Sequence, residues 1–166
     1  MAERRLFLAL WPDAATRQAL LASQRELHGA LGGRCMRAEG LHLTLAFIGD
    51  CPEPQLQALV RALSAIEGRA ARLSLDRYGY WQTGIAWLGM ASPPAELLAL
   101  ANELRRVLDA TGVRYDRKPF KPHITLLRDA ASGALPRRLQ PLHWQSAGRF
   151  SLIESQMGRY QRLFDY

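Results

Sequence analysis

The chain has 166 residues, 48% of them apolar and 22% charged, the make-up of one globular domain. That excludes a disordered chain, a collagen-like repeat and a disulfide scaffold. Its 22 Lys and Arg outweigh 15 Asp and Glu, a net charge of +7 that favours polyanionic partners. Arg4–Leu10 reads as a strand, and Trp11-Pro12-Asp13 turns the chain. Asp13 is placed to cap a helix over Ala14–Leu31, whose Leu20, Leu21, Leu27 and Leu31 make an apolar face. Gly32-Gly33 ends it. Leu41–Ile48 begins with the alternation of a strand and closes at Gly49-Asp50. Pro52–Ile66 is a second helix. Arg72–Tyr80 and Ile85–Met90 read as two strands joined near Gln82-Thr83-Gly84. Pro93–Thr111 is a third helix, with Leu97, Leu100, Leu104 and Leu108 at helical spacing. Pro122–Leu127 is a strand, and Phe150–Gln156 with Arg159–Phe164 makes a closing hairpin around Met157-Gly158. Strands and helices interleave without strict alternation, which predicts an α+β fold with largely antiparallel sheets.

One pattern occurs twice. Leu41-His42-Leu43-Thr44-Leu45 and Pro122-His123-Ile124-Thr125-Leu126 share His-apolar-Thr-apolar and lie 81 residues apart, about half the chain. With 4 histidines and 5 threonines, chance placement gives about 0.1 His-x-Thr pairs. The repeat predicts two related lobes, each donating one copy. Residues i and i+2 of a strand share a face, so each copy presents an imidazole beside a hydroxyl while Leu43, Leu45, Ile124 and Leu126 anchor the other face. Two such units across a cleft make an acid–base pair. One imidazole takes a proton from the attacking oxygen and the other gives one to the leaving oxygen. The hydroxyls of Thr44 and Thr125 hold the phosphoryl oxygens between them. This chemistry requires no metal. A metal site on His42 and His123 is the competing arrangement, but Asp50, Cys51 and Asp129 stand at no compelling ligand spacing. Neither Cys35 nor Cys51 has the context of a nucleophile, and without a CxxC spacing both read as free thiols of a cytoplasmic protein.

These residues resemble the 2H phosphoesterase superfamily, and within it the RNA 2′,3′-cyclic phosphodiesterases, historically called 2′-5′ RNA ligases. Leu41–Gly49 (LHLTLAFIG) and Pro119–Arg128 (PFKPHITLLR) are close to the two motifs. Arg4–Leu10, Ile85–Gly89 and Ser151–Ser155 look like the first, inter-motif and late strands. The resemblance covers nearly the whole chain. It implies a bilobal fold in which two pseudo-symmetric lobes of antiparallel sheet, with outer helices, face a central cleft. It implies metal-independent hydrolysis of RNA 2′,3′-cyclic phosphate ends to 2′-phosphomonoesters, together with a reversible 2′-5′ joining of RNA ends such as tRNA halves. His42 and His123 carry over as the acid–base pair, and Thr44 and Thr125 as phosphate binders. Arg128, three residues after Thr125, stands where this branch has an arginine near the phosphate. The chain departs from some relatives at Gln82-Thr83-Gly84, where they carry a basic residue.

Phe7, Trp81, Tyr115, Phe120 and Tyr160 are the candidates for base stacking. His28 and His143 lack a threonine partner and read as structural or surface residues. No apolar run nears the roughly 20 residues of a membrane span, and the first residues carry no signal-peptide pattern. The expected partners are RNA ends or nucleotide 2′,3′-cyclic phosphates, with no cofactor and no membrane, and the protein is expected to be a monomer. The competing readings keep the chemistry on another cyclic phosphate or a 2′-5′-linked oligonucleotide, or drop catalysis and leave an RNA-end-binding module.

Overall fold

In the computed structural model, which describes residues 3–138 and 140–166, strand β1 (Glu3–Leu10) is buried from Leu6 to Leu10. The reason is its place inside a sheet. Leu6, Leu8 and Leu10 enter the main core, while Phe7 and Ala9 pack with Ile153 on the opposite face. The remaining strands are β2 (Arg34–Cys35), β3 (Leu43–Pro52), β4 (Ala71–Leu75), β5 (Arg77–Trp81), β6 (Ile85–Gly89), β7 (His123–Arg128), β8 (Leu142–Ser146), β9 (Ser151–Gln156) and β10 (Arg159–Asp165). The helices are α1 (Ala14–Leu31), α2 (Glu53–Leu63) and α3 (Ala95–Ala110).

Two antiparallel half-sheets make up the fold. The first runs β10-β9-β1-β3; the second runs β7-β6-β5, with β2 also paired to β7. They meet at the pairing of Leu43 with Ile124. β4 and β8 form a separate two-stranded sheet with Leu73 opposite Trp144. This is the expected α+β, two-lobed architecture. Two of its helices, α1 and α3, are exchanged between the halves, whereas α2 stays on the β3 that precedes it. α1 follows β1 in the chain but packs on β7 and β8, whereas α3 follows β6 and packs on β3 beside α2. Each half-sheet is thus covered by a helix that the other half supplies, so neither buries its apolar face alone.

Local signals were sound where they were strong. Asp13 caps α1, its carboxylate accepting from the Thr16 amide at 2.7 Å, and Gly32 at φ 63° ends it. Three expectations need correction. The strand expected over Arg72–Tyr80 is two strands in two sheets. The break is Asp76, whose carboxylate accepts from the Ala91 amide and whose own amide donates to Gly89. β3 does not close at Gly49 but runs on to Pro52. Gly49, at φ 80°, pairs with Leu6 where the β1–β3 register shifts, so it makes a bulge and not a turn. α2 ends at Leu63, short of Ile66. β2 and β8 are not among the expected strands, although Leu142 and Trp144 alternate with His143 and Gln145; each is short and finds its partner far along the chain. Among the described residues, no helix is long and apolar enough to cross a membrane.

Candidate active site

The two motifs sit where the half-sheets join. His42 follows a 3-10 turn (Ala38–Gly40) just ahead of β3, and His123 opens β7. His42, Thr44, His123, Thr125 and Arg128 all line one cleft of about 440 Å³. The two imidazoles are anchored alike. Nδ1 of His42 donates to the carbonyl of Gly40, and Nδ1 of His123 to that of Lys121, both at 2.7 Å. A carbonyl only accepts, so Nδ1 carries hydrogen in each ring and the neutral ring's Nε2 is left as a base. The motifs differ at Nε2. The Thr44 hydroxyl lies 3.0 Å from Nε2 of His42 and donates to it. Among the described residues, Thr125 makes no such bond to His123.

Aromatic rings enclose both histidines. Trp11 stacks on His42 at 5.0 Å and 13°, Phe7 lies at 4.9 Å, and Tyr160 meets it edge-on at 5.3 Å. Trp81 meets His123 edge-on at 4.6 Å, with Trp87 at 6.0 Å. Burial among these rings lowers both imidazoles. His42 falls to about 4, mainly by desolvation, with His123 and Arg128 lowering it further against the Gly40 bond. His123 is lowered by desolvation and by Lys121, against the Lys121 carbonyl bond. Both rings are therefore neutral in the free cleft near neutral pH.

Cations surround this pair. Arg5, Lys118, Lys121 and Arg128 line the cleft, with Asp116 the acidic residue among them. The ammonium of Lys121 lies 4.9 Å from the Trp87 ring and 5.8 Å from that of Trp81. It brings positive charge to the side where Gln82-Thr83-Gly84 carries none. Of the stacking candidates, Phe7, Trp81, Phe120 and Tyr160 line the cleft, and Tyr115 does not. Tyr115 lies outside, its ring 4.1 Å from the Arg117 guanidinium. His28 reaches the Gly33 carbonyl at the end of α1, and His143 lies beside Ser74; both are exposed and lie outside the cleft. Asp50, Cys51 and Asp129 do not line the cleft, and among the described residues no three His, Cys, Asp or Glu gather as a metal-holding group. Both cysteines are free thiols.

The sequence reading missed Trp11, Trp87 and Lys121. Trp11 had a signal in register: Phe7, Ala9 and Trp11 are spaced two apart, and the first two face the cleft side of β1. Trp87 depends on glycines. A Cβ at Gly79, its cross-strand partner, or at Gly89 would overlap the indole, so those two glycines make the slot it fills. Lys121 shows itself only once its carbonyl is seen to hold His123.

The family model for LigT-like phosphoesterases matches this chain twice, over residues 10–87 and 88–156, once for each motif. The RNA 2′,3′-cyclic phosphodiesterase of Escherichia coli K12 is 38% identical over 129 residues, covering 77% of this chain and 73% of the relative. The protein of that name from Thermus thermophilus is 35% identical over 165 residues, covering 92% and 82%. The crystal structure of E. coli LigT complexed with 3′-AMP superposes with a TM-score of 0.86 at 32% identity, covering 99% of this chain and 98% of that one.

Proposed function

The chain belongs to the LigT-like phosphoesterase family, and we propose that it is an RNA 2′,3′-cyclic phosphodiesterase that opens the cyclic phosphate to a 2′-phosphomonoester with two histidines and no metal. The observation that carries this reading is the matched anchoring of His42 and His123. Each Nδ1 is held at 2.7 Å by the carbonyl two residues earlier, and both rings line one cleft. Fixed tautomers at two facing imidazoles suit a displacement that must remove one proton and deliver another.

In the proposed step, a neutral imidazole accepts the proton of a water as its oxygen attacks phosphorus. The phosphorus–O3′ bond breaks, and the other imidazole, protonated, gives its proton to O3′. The product carries the phosphate on O2′ and a free 3′-hydroxyl. Because burial keeps both rings neutral in the free cleft, the proton on the acid enters with substrate, whose phosphate charge raises the pKa of the ring it approaches. Thr125 and Arg128 hold the non-bridging oxygens as charge develops there, and the Thr44 hydroxyl joins them when it turns from Nε2 of His42 to the bound phosphate. With a 5′-hydroxyl in place of water, the same displacement joins two RNA ends through a 2′-5′ linkage, and its reverse cleaves that linkage.

The test is hydrolysis of a short RNA ending in 2′,3′-cyclic phosphate with EDTA present, sorting the product by phosphate position. A 2′-phosphate is expected. A 3′-phosphate, or turnover only with added divalent metal, overturns the proposal.

A further inference from the structure

We propose that an arginine-lined groove beside the cleft binds the RNA strand upstream of the reacting end, so that the protein favours an oligoribonucleotide over a mononucleotide cyclic phosphate. This rests on the activity proposed above. The groove encloses about 760 Å³, against about 440 Å³ for the cleft. Met36, Gly40 and Tyr160 line both, so the two spaces are continuous past the Tyr160 ring that meets His42 edge-on. One wall is the segment from Arg34 to Gly40; the other is the tip of the β9–β10 hairpin.

Its charge suits a phosphodiester backbone. Arg34, Arg37 and Arg159 line it against one carboxylate, Glu39. Arg34 reaches Asp129 at 3.4 Å. Arg37 and Arg159, both exposed, make no ion pair among the described residues. Two cations that line the cleft itself differ, since each has a local partner: Lys118 is 3.9 Å from the Asp116 carboxylate, and the Arg5 guanidinium lies over the Phe47 ring at 5.0 Å. A terminal cyclic phosphate leaves the chain one direction in which to continue, and unpartnered guanidiniums along a groove bind phosphates without reading sequence.

The experiment compares kcat/KM for adenosine 2′,3′-cyclic phosphate and for a short oligoadenylate with the same end. Wild type should favour the oligomer, by a margin that shrinks as salt rises. The double variant R37E/R159E, which leaves the cleft lining intact, should lose about tenfold or more on the oligomer and keep the mononucleotide rate. Glu39→Gln should shift the oligomer the other way, lowering its KM, which a merely damaged fold would not do. Equal effects on both substrates, or no oligomer preference in wild type, overturn the proposal. Wild type inactive on both overturns the activity itself and this inference with it.

Discussion

Leu43 and Ile124 are backbone partners where the two half-sheets join, and each is the middle residue of a His-x-Thr motif. Because the strands run antiparallel, the position of His42 falls beside that of Thr125, and Thr44 beside His123. Both apolar residues are wholly buried. Two near-equivalent motifs thus meet about a pseudo-twofold axis, their apolar residues in the core and their polar ones in the cleft. Ile124→Ala is expected to loosen that junction, costing about 2–5 kcal/mol of stability with a larger loss of activity than a core cavity elsewhere, such as Leu104→Ala. Thermal unfolding beside kcat/KM measures both. Equal activity in the two variants would contradict the claim that this junction sets the site.

The threonines are not equivalent, since the Thr44 hydroxyl donates to Nε2 of His42 and Thr125 has no matching bond among the described residues. Removing a hydrogen bond to a charged group costs about 1.5–3 kcal/mol, so each alanine variant should lose roughly ten- to a hundredfold in kcat/KM. Thr44→Ala should also displace the pH profile, because it changes the surroundings of an imidazole. Thr125→Ala should leave the profile in place. The two profiles, measured side by side, check this; identical displacements would contradict it.

The pH profile follows from the direction of both shifts. In the proposed mechanism the active form has one ring neutral and the other protonated, which gives a bell bounded by the two values. His42 lies at about 4 and His123 below the ordinary imidazole value near 6.5, so in the free enzyme the bell falls on the acid side of 6.5. That is the profile of kcat/KM. In the complex the phosphate charge raises both rings, so the bell in kcat should move to higher pH. A kcat profile at or below that of kcat/KM would contradict the placement of the phosphate between the rings.

Away from the cleft, Arg4 donates to both oxygens of the nearly buried Glu154 carboxylate, at 2.9 and 2.8 Å, and ties β1 to β9. Arg4 holds the Glu154 carboxyl below its ordinary range. A carboxyl depressed in the folded state contributes stability above its unfolded value, and that stability is lost as pH falls through the folded one. Arg4→Met leaves a buried carboxylate without its partner and should cost about 1–3 kcal/mol near neutral pH. The deficit should shrink in acid, where Glu154 is protonated in either protein. Thermal unfolding at the two pH values checks this, and a deficit that does not change with pH would contradict it.

How much of this was legible follows the range of each interaction. His42, Thr44, His123 and Thr125 were legible because strand periodicity is local and the pattern repeats. The capping of α1 by Asp13 was legible for the same reason. The exchange of α1 and α3 between half-sheets was not, since nothing in an amphipathic face names the sheet that covers it. Nor was the β4–β8 pair, whose strands lie about 70 residues apart. Trp87 stayed hidden because its slot is made by Gly79 and Gly89, and an absent side chain leaves no pattern. Tyr115 was a stacking candidate by type alone, and its cation partners outside the cleft decide its place.

Two histidines are expected to carry the reaction between them. The most direct test is single-turnover hydrolysis of an RNA 2′,3′-cyclic phosphate by wild type, His42→Ala and His123→Ala, each checked for folding by circular dichroism. Both variants should fold and should each lose about 10²–10⁴-fold in rate, the usual contribution of a general acid or base. Either variant turning over at a near-wild-type rate would contradict the account.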